Sequence, residues 1–202
     1  MSVERVRDLL RREADAVLNI PVNGDFEAAV DLIHRRVHRM GGKLVTGGMG
    51  KAGEIAQNIA TTFSSTGTPA VFLHPAEAQH GDLGIIQPND VLLLISNSGK
   101  TREILELVGL AKNLYEDLPL VVITAHPESG LAQSSDVALM TGNPAEVCPL
   151  GLSPTTSTTV MTVIGDALIV LMMEKIGFTS EDYARRHHGG YLGSKSREQA
   201  GQ

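Results

Sequence analysis

Val91-Leu92-Leu93-Leu94-Ile95-Ser96-Asn97-Ser98-Gly99-Lys100-Thr101 decides how this chain folds. Five branched apolar residues in a row read as a strand buried on both faces, since an exposed face would show alternating polar residues. The run stops abruptly at small polar residues and glycine. From Thr101 to Leu114 apolar residues then recur at helical spacing, so the stretch reads as strand, loop and helix in succession.

The same grammar recurs on either side. Lys43 to Gly47, Ala70 to His74, Leu118 to Thr124 and Asp136 to Met140 are further short apolar runs, with helical patterns at Lys51 to Ser65 and, shorter and more polar, Ser129 to Ser134. Strand and helix in alternation predict a three-layer, doubly wound α/β sandwich with a five-stranded parallel sheet of the flavodoxin-like kind. Arg5 to Val17 and Phe26 to Met40 add two N-terminal helices, separated by Pro21-Val22-Asn23-Gly24-Asp25. Thr158 to Ile176 is apolar almost all round, more than one sheet face can cover, which predicts contact with another subunit through 158–176. After Gly177 the chain turns polar, and Gly189, Gly190 and Gly193 suggest a mobile, loop-like tail. The expectation is one domain over 1–202, divided into helices at 1–40, a sheet core with its apolar helix at 41–177, and a tail at 178–202.

Composition bounds the function. In 202 residues the formal net charge is -6, which disfavours nucleic acid and anionic membrane as partners, so any anion must be held by local groups. Aromatic residues are only 3% and Trp is absent, leaving a core of Ala, Val, Ile, Leu and Met. The single cysteine, Cys148, excludes an intrachain disulfide, and Met1 to Leu10 is too charged for a secretory signal. The apolar stretch Val160 to Met173 carries Asp166. A soluble, cytoplasmic protein is the expectation.

Ligands of doubly wound sheets bind at the carboxyl ends of the strands, where loops enter helices with unpaired N–H groups. Two loops fit. Gly48, Gly50 and Gly53 have the Gly-x-Gly-x-x-Gly spacing, but Phe72-Leu73-His74 stands where a dinucleotide site needs an acid, and Lys51 is left without a structural reason. Gly99-Lys100-Thr101 suggests a triphosphate loop, yet Leu94 occupies the position that requires glycine. What remains is a set of hydroxyls, Ser96, Ser98 and Thr101, beside a helix N-terminus, which suits a monophosphate. Pro154-Thr155-Thr156-Ser157-Thr158-Thr159 either caps the apolar helix or presents more hydroxyls. His74, Glu77, His80 and Asp82 match no strong zinc spacing; no metal or cofactor is required, although His74 could take up adventitious zinc.

Gly48-Met49-Gly50-Lys51, His74-Pro75-Ala76-Glu77-Ala78, His80-Gly81-Asp82-Leu83-Gly84, Ser96-Asn97-Ser98-Gly99 and Cys148-Pro149-Leu150-Gly151-Leu152 together resemble the sugar isomerase (SIS) domain of arabinose-5-phosphate isomerases. The likeness runs on through Gly165-Asp166-Ala167-Leu168 and Gly177-Phe178-Thr179. It implies interconversion of ribulose 5-phosphate and arabinose 5-phosphate, a step toward Kdo for lipopolysaccharide or capsule. It also implies activity residues at Lys51, Glu103, Glu146 and His187; the chemistry of ring opening adds His80 as a second candidate, beside His187, for that proton. Either glutamate could move the proton through a cis-enediol, and Lys51 could steady the enediolate oxygen. Taken without the resemblance, Glu103 is an ordinary first-turn carboxylate and Glu146 a loop acid. Expected contacts to the phosphosugar are Gly48, Gly67, Thr68, Ser96, Asn97, Ser98, Thr101, Thr155 and Ser157.

Three departures from the family pattern stand out. A stand-alone form without the paired CBS modules of many members is the expectation, Lys100 stands where glutamate is common, and His188 follows His187 where proline is usual. The resemblance also implies a homo-oligomer, a dimer of dimers, in which His187 could enter a neighbouring subunit. Two other readings are a non-catalytic sensor of a phosphosugar or of a sugar nucleotide resembling CMP-Kdo, and an isomerase of a hexulose phosphate.

Overall fold

The computed structural model describes residues 2–201. Helix α1 (Val3–Leu18) and helix α2 (Asp25–Ile33), which widens into π-helical turns over His34–Arg39, precede the sheet. Strands β1 (Leu44–Gly48), β2 (Ala70–Phe72), β3 (Val91–Ile95), β4 (Leu120–Thr124) and β5 (Val137–Met140) are all parallel, in the order β2-β1-β3-β4-β5. Helix α3 (Gly50–Ser65) follows β1 and α5 (Arg102–Leu114) follows β3. The short helices α4 (Pro75–Ala78) and α6 (Gly130–Gln133) follow β2 and β4. Helix α7 (Thr156–Ile176) crosses back over the sheet.

Period-two alternation explains the layering. Val91, Leu93 and Ile95 join the core beneath α2, α3 and α7, while Leu92 and Leu94 join the core on the side of α5. The neighbouring strand β4 does the same with Val121 and Ile123 against Leu120 and Val122. The register Leu44↔Val91 continues to Gly48↔Ile95, so β1 and β3 end level. Their carboxyl ends flank the point where strand order reverses, and the loops from them diverge to open a crevice there.

Helix α7 is long and apolar enough to cross a membrane by length and composition, yet half (50%) of its most apolar 18-residue window is buried. It packs closely on α3: a Cβ at Gly165 would lie 2.4 Å from Ile59 Cδ1, so glycine sets that helix separation. Asp166 and Val170 lie on its exposed side.

The tail corrects the expectation of a loop. Helices α8 (Ser180–Ala184) and α9 (Gly190–Gln199) occupy it, and α8 starts in a capping box between Thr179 and Asp182. Gly193 permits close packing of this hairpin, since a Cβ there would lie 2.3 Å from the His187 carbonyl oxygen.

Candidate active site

The crevice at the strand reversal holds a cavity of about 500 Å³, lined by Met49, Lys51 and Ala52 from the β1–α3 turn and by Ile95 to Ser98 and Thr101 from the β3–α5 loop. Asn143 to Glu146 and Gly151, Leu152 and Pro154 complete the lining, with Ser157, Thr158 and Met161 of α7.

The β3–α5 loop is held in shape mainly by its own polar atoms. Ser96 Oγ and Thr101 Oγ1 are 2.9 Å apart, the Gly99 amide donates to Ser96 Oγ at 3.1 Å, and the Lys100 amide donates to Ser98 Oγ at 3.2 Å. Gly99 has φ +62°, and a Cβ there would fall 2.1 Å from Ser129 Oγ. Thr124 Oγ1 and the Ala125 amide donate to the Asn97 carbonyl at 3.2 and 3.0 Å, locking the loop to the end of β4. The first-turn N–H groups of α5 have no partners within the helix, so an anion could gather them with the Ser98 and Thr101 hydroxyls.

Lys51 stands in the first turn of α3, exposed at the cavity edge, and is in no ion pair among the described residues. Gly48 lies beneath it without lining the cavity; a Cβ there would come 2.7 Å from the Ala52 carbonyl oxygen, so glycine allows the first turn of α3 to close over the strand.

Glu146 is more constrained. Its Oε2 accepts the Thr155 amide at 2.7 Å, the Thr155 hydroxyl at 2.8 Å and the Ser157 amide at 3.4 Å. Partial burial pushes its pKa up, but the Ser157 hydroxyl, the Thr155 amide and hydroxyl and the Ser157 amide outweigh that, leaving the carboxyl below its ordinary 4.5. The bonds from Thr155 and from the Ser157 amide all converge on Oε2, which anchors that oxygen of the carboxylate. Thr155 reaches the site through Glu146 and does not line the cavity itself.

Next to it, Cys148 organises the Cys-Pro-Leu-Gly-Leu turn. Its sulfur accepts the amides of Leu152 and Ser153, each at 3.2 Å, and the Ser153 amide leads the effects that draw the thiol below its ordinary pKa. Gly151 has φ +64° at the tip of that turn.

Other expected residues lie elsewhere in the protomer. Glu103 is half-buried in the first turn of α5 outside the cavity lining, and His80 is exposed after α4. His187 stacks on Tyr183 with centroids 3.7 Å apart and planes at 5°, and its Nδ1 lies 3.1 Å from the Tyr183 carbonyl. Gly67 and Thr68 precede β2, at the opposite end of the sheet from the cavity: Gly67 packs under the Phe178 ring, and Thr68 Oγ1 is 3.0 Å from His38 Nε2. Lys100 is exposed and does not line the cavity. His74 has a buried Nδ1 with no hydrogen-bond partner, and no group of three or more potential metal ligands gathers among the described residues.

Asn143 is among the cavity residues missed in the sequence, and Arg12 of α1 is a missed contact of Glu146. Gly142-Asn143-Pro144 carries a turn signal, and Asn143 takes φ +52°. Arg12 donates to the Glu146 carbonyl at 3.4 Å, a contact spanning 134 positions that no local pattern announces.

The SIS domain family matches residues 40–171. The chain is a member of the SIS domain family. Arabinose 5-phosphate isomerase KdsD of Yersinia pestis is 49% identical over 92% of this chain, covering 55% of that relative. The chain therefore spans about half the length of the curated relatives it matches. A Bacteroides fragilis structure, described as a candidate phosphosugar isomerase involved in capsule formation, is 66% identical with a TM-score of 0.92, covering 94% of this chain and 98% of that one. The structure of E. coli CFT073 c3406 in complex with arabinose 5-phosphate is 36% identical with a TM-score of 0.85, covering 92% and 96%. These relatives carry the resemblance read from the sequence motifs, and the parallel sheet with helices on both faces is the SIS fold.

Proposed function

We propose that the cavity interconverts ribulose 5-phosphate and arabinose 5-phosphate through a cis-enediol. The observation that carries this reading is that Lys51 and Glu146 line one cavity together with Ser96, Asn97, Ser98 and Thr101 of the hydroxyl-rich loop. Its similarity to KdsD and to the structure holding arabinose 5-phosphate supports the substrate class.

In this account the phosphate sits on Ser98, Thr101 and the first turn of α5, which leaves the sugar carbons between Lys51 and Glu146. Glu146 Oε1 removes the proton from the carbon next to the carbonyl and returns it to the former carbonyl carbon, while a proton moves between the two oxygens. A carboxylate held below its ordinary pKa is a weak base, so the burden falls on Lys51 to stabilise the enediolate oxygen. Glu146 takes precedence over Glu103 because it borders the cavity and Glu103 does not.

The exposed side of α7 and the absence of His187 from the cavity lining of its own protomer support a homo-oligomer, a dimer of dimers, in which the tail of one subunit supplies the ring-opening histidine to another. The single cysteine fits action in the cytoplasm. Product destined for Kdo, in capsule or lipopolysaccharide, fits the same reading.

Incubation of purified protein with ribulose 5-phosphate should yield arabinose 5-phosphate without added metal. No turnover at high enzyme concentration, with thermal stabilisation by the sugar phosphate retained, would favour a sensor instead. Turnover confined to a hexulose phosphate would reassign the substrate.

A further inference from the structure

We infer that Glu13 and Thr156 are positioning residues for Glu146, and that the N-terminal helix α1 is thereby a working part of the site. The inference rests on Glu146 acting as the base.

Helix α1 buries none of its residues completely, although Leu9, Ala16 and Val17 are partly buried and Ala16 packs against the core. The long-range polar contacts of the helix converge on one peptide group, the one joining Glu146 to Val147. On the carbonyl side, Arg12 donates to Glu146 O at 3.4 Å. On the amide side, Val147 N–H donates to Thr156 Oγ1 at 3.2 Å, and that hydroxyl in turn donates to Glu13 Oε1 at 2.8 Å. Thr156 is only 1% exposed, and its hydroxyl proton is committed to a carboxylate, which makes its oxygen a stronger acceptor for the Val147 amide.

The other oxygen of Glu13, Oε2, is buried and has no hydrogen-bond partner. Keeping a carboxylate oxygen in that state is costly, and such groups persist where the surrounding structure uses them. Thr155 and Thr156 then divide the work at the start of α7: Thr155 fixes the Glu146 carboxylate, and Thr156, backed by Glu13, fixes the backbone that carries it. Without the second hold, the 143–147 wall could rotate and swing Oε1 away from the substrate carbon.

The test is steady-state kinetics on ribulose 5-phosphate with Glu13→Ala, Thr156→Val and Thr156→Ser, each checked for thermal midpoint, with Glu146→Gln alongside. A misplaced base costs about 10- to 100-fold in rate. Glu13→Ala and Thr156→Val should each lose that much kcat with KM close to wild type, and Thr156→Ser, which keeps the hydroxyl, should restore kcat. A purely structural role would lower the thermal midpoint and leave kcat per folded site unchanged, which would overturn the inference. If Glu13→Ala does not fold, Thr156→Val against Thr156→Ser decides alone. Loss of turnover in Glu146→Gln with full kcat in Thr156→Val sinks only the positioning role. Full turnover in Glu146→Gln sinks the assignment of the base, and this inference with it.

Discussion

Residues expected to serve one reaction fall in two clusters in different parts of the protomer. The first, Lys51, Ser96, Ser98, Thr101 and Glu146, meets at the carboxyl ends of β1 and β3. The second, Gly67, Phe178, Tyr183 and His187, is a stack of rings near the amino end of β2, with Phe178 and Tyr183 edge to face at 6.4 Å and Arg186 over Phe178 at 5.4 Å. The first cluster is built from loops that a parallel sheet must place together. The second is held by side-chain packing and by a hairpin of short helices. Its own protomer gives its histidine no role at the cavity, which is the physical basis for placing it in a neighbour's site.

Subunit mixing would break that comparison most sharply. Glu146→Gln and His187→Ala should each be inactive, and mixed oligomers of the two should regain activity, because one shared site then has both wild-type residues. Failure to regain activity, measured on reassembled oligomers, would assign His187 to its own subunit or to no site.

The next effect concerns the loop of the first cluster. Gly99→Ala forces a methyl group onto Ser129 Oγ at a positive φ and should cost about 1–3 kcal/mol of phosphosugar binding, read as a raised KM. In the second cluster, Gly67→Ala pushes on the Phe178 ring, 2.8 Å from where the new Cβ would lie. It should lower stability by about 1–3 kcal/mol while leaving phosphosugar affinity unchanged. If instead KM rises without loss of stability, Gly67 contacts substrate.

The smallest effect is in pH. The folded pKa of Glu146 lies below its ordinary 4.5, so its stability contribution is fully present above that pH and is lost as pH falls through the folded pKa. The acidic limb of kcat should therefore lie below the usual carboxylate range. A limb near pH 6 would point to a different base.

The two clusters also differ in how legible they are in the sequence. Val91 to Ile95 declares a buried strand and Ser96 to Thr101 the polar loop at its carboxyl end, so the hydroxyl loop is readable from local pattern, while the reversal between β1 and β3 comes from the strand order of the folded sheet. Glu146 read alone is a solvated loop acid, because its partners Thr155 and Ser157 lie 9 and 11 positions away. Weighing the tail's glycines as flexibility misjudges it. Thr179-Ser180-Glu181-Asp182 carries a capping signal, and Gly193 serves close packing against His187. Gly67 and Thr68 read as substrate contacts, yet only three dimensions show them under the tail and beside His38.

The account stands most directly on Glu146→Gln. With fold and phosphosugar binding verified by thermal midpoint and titration, the variant should lose about 10²- to 10⁴-fold in conversion of ribulose 5-phosphate to arabinose 5-phosphate. Conversion at the wild-type rate would contradict it.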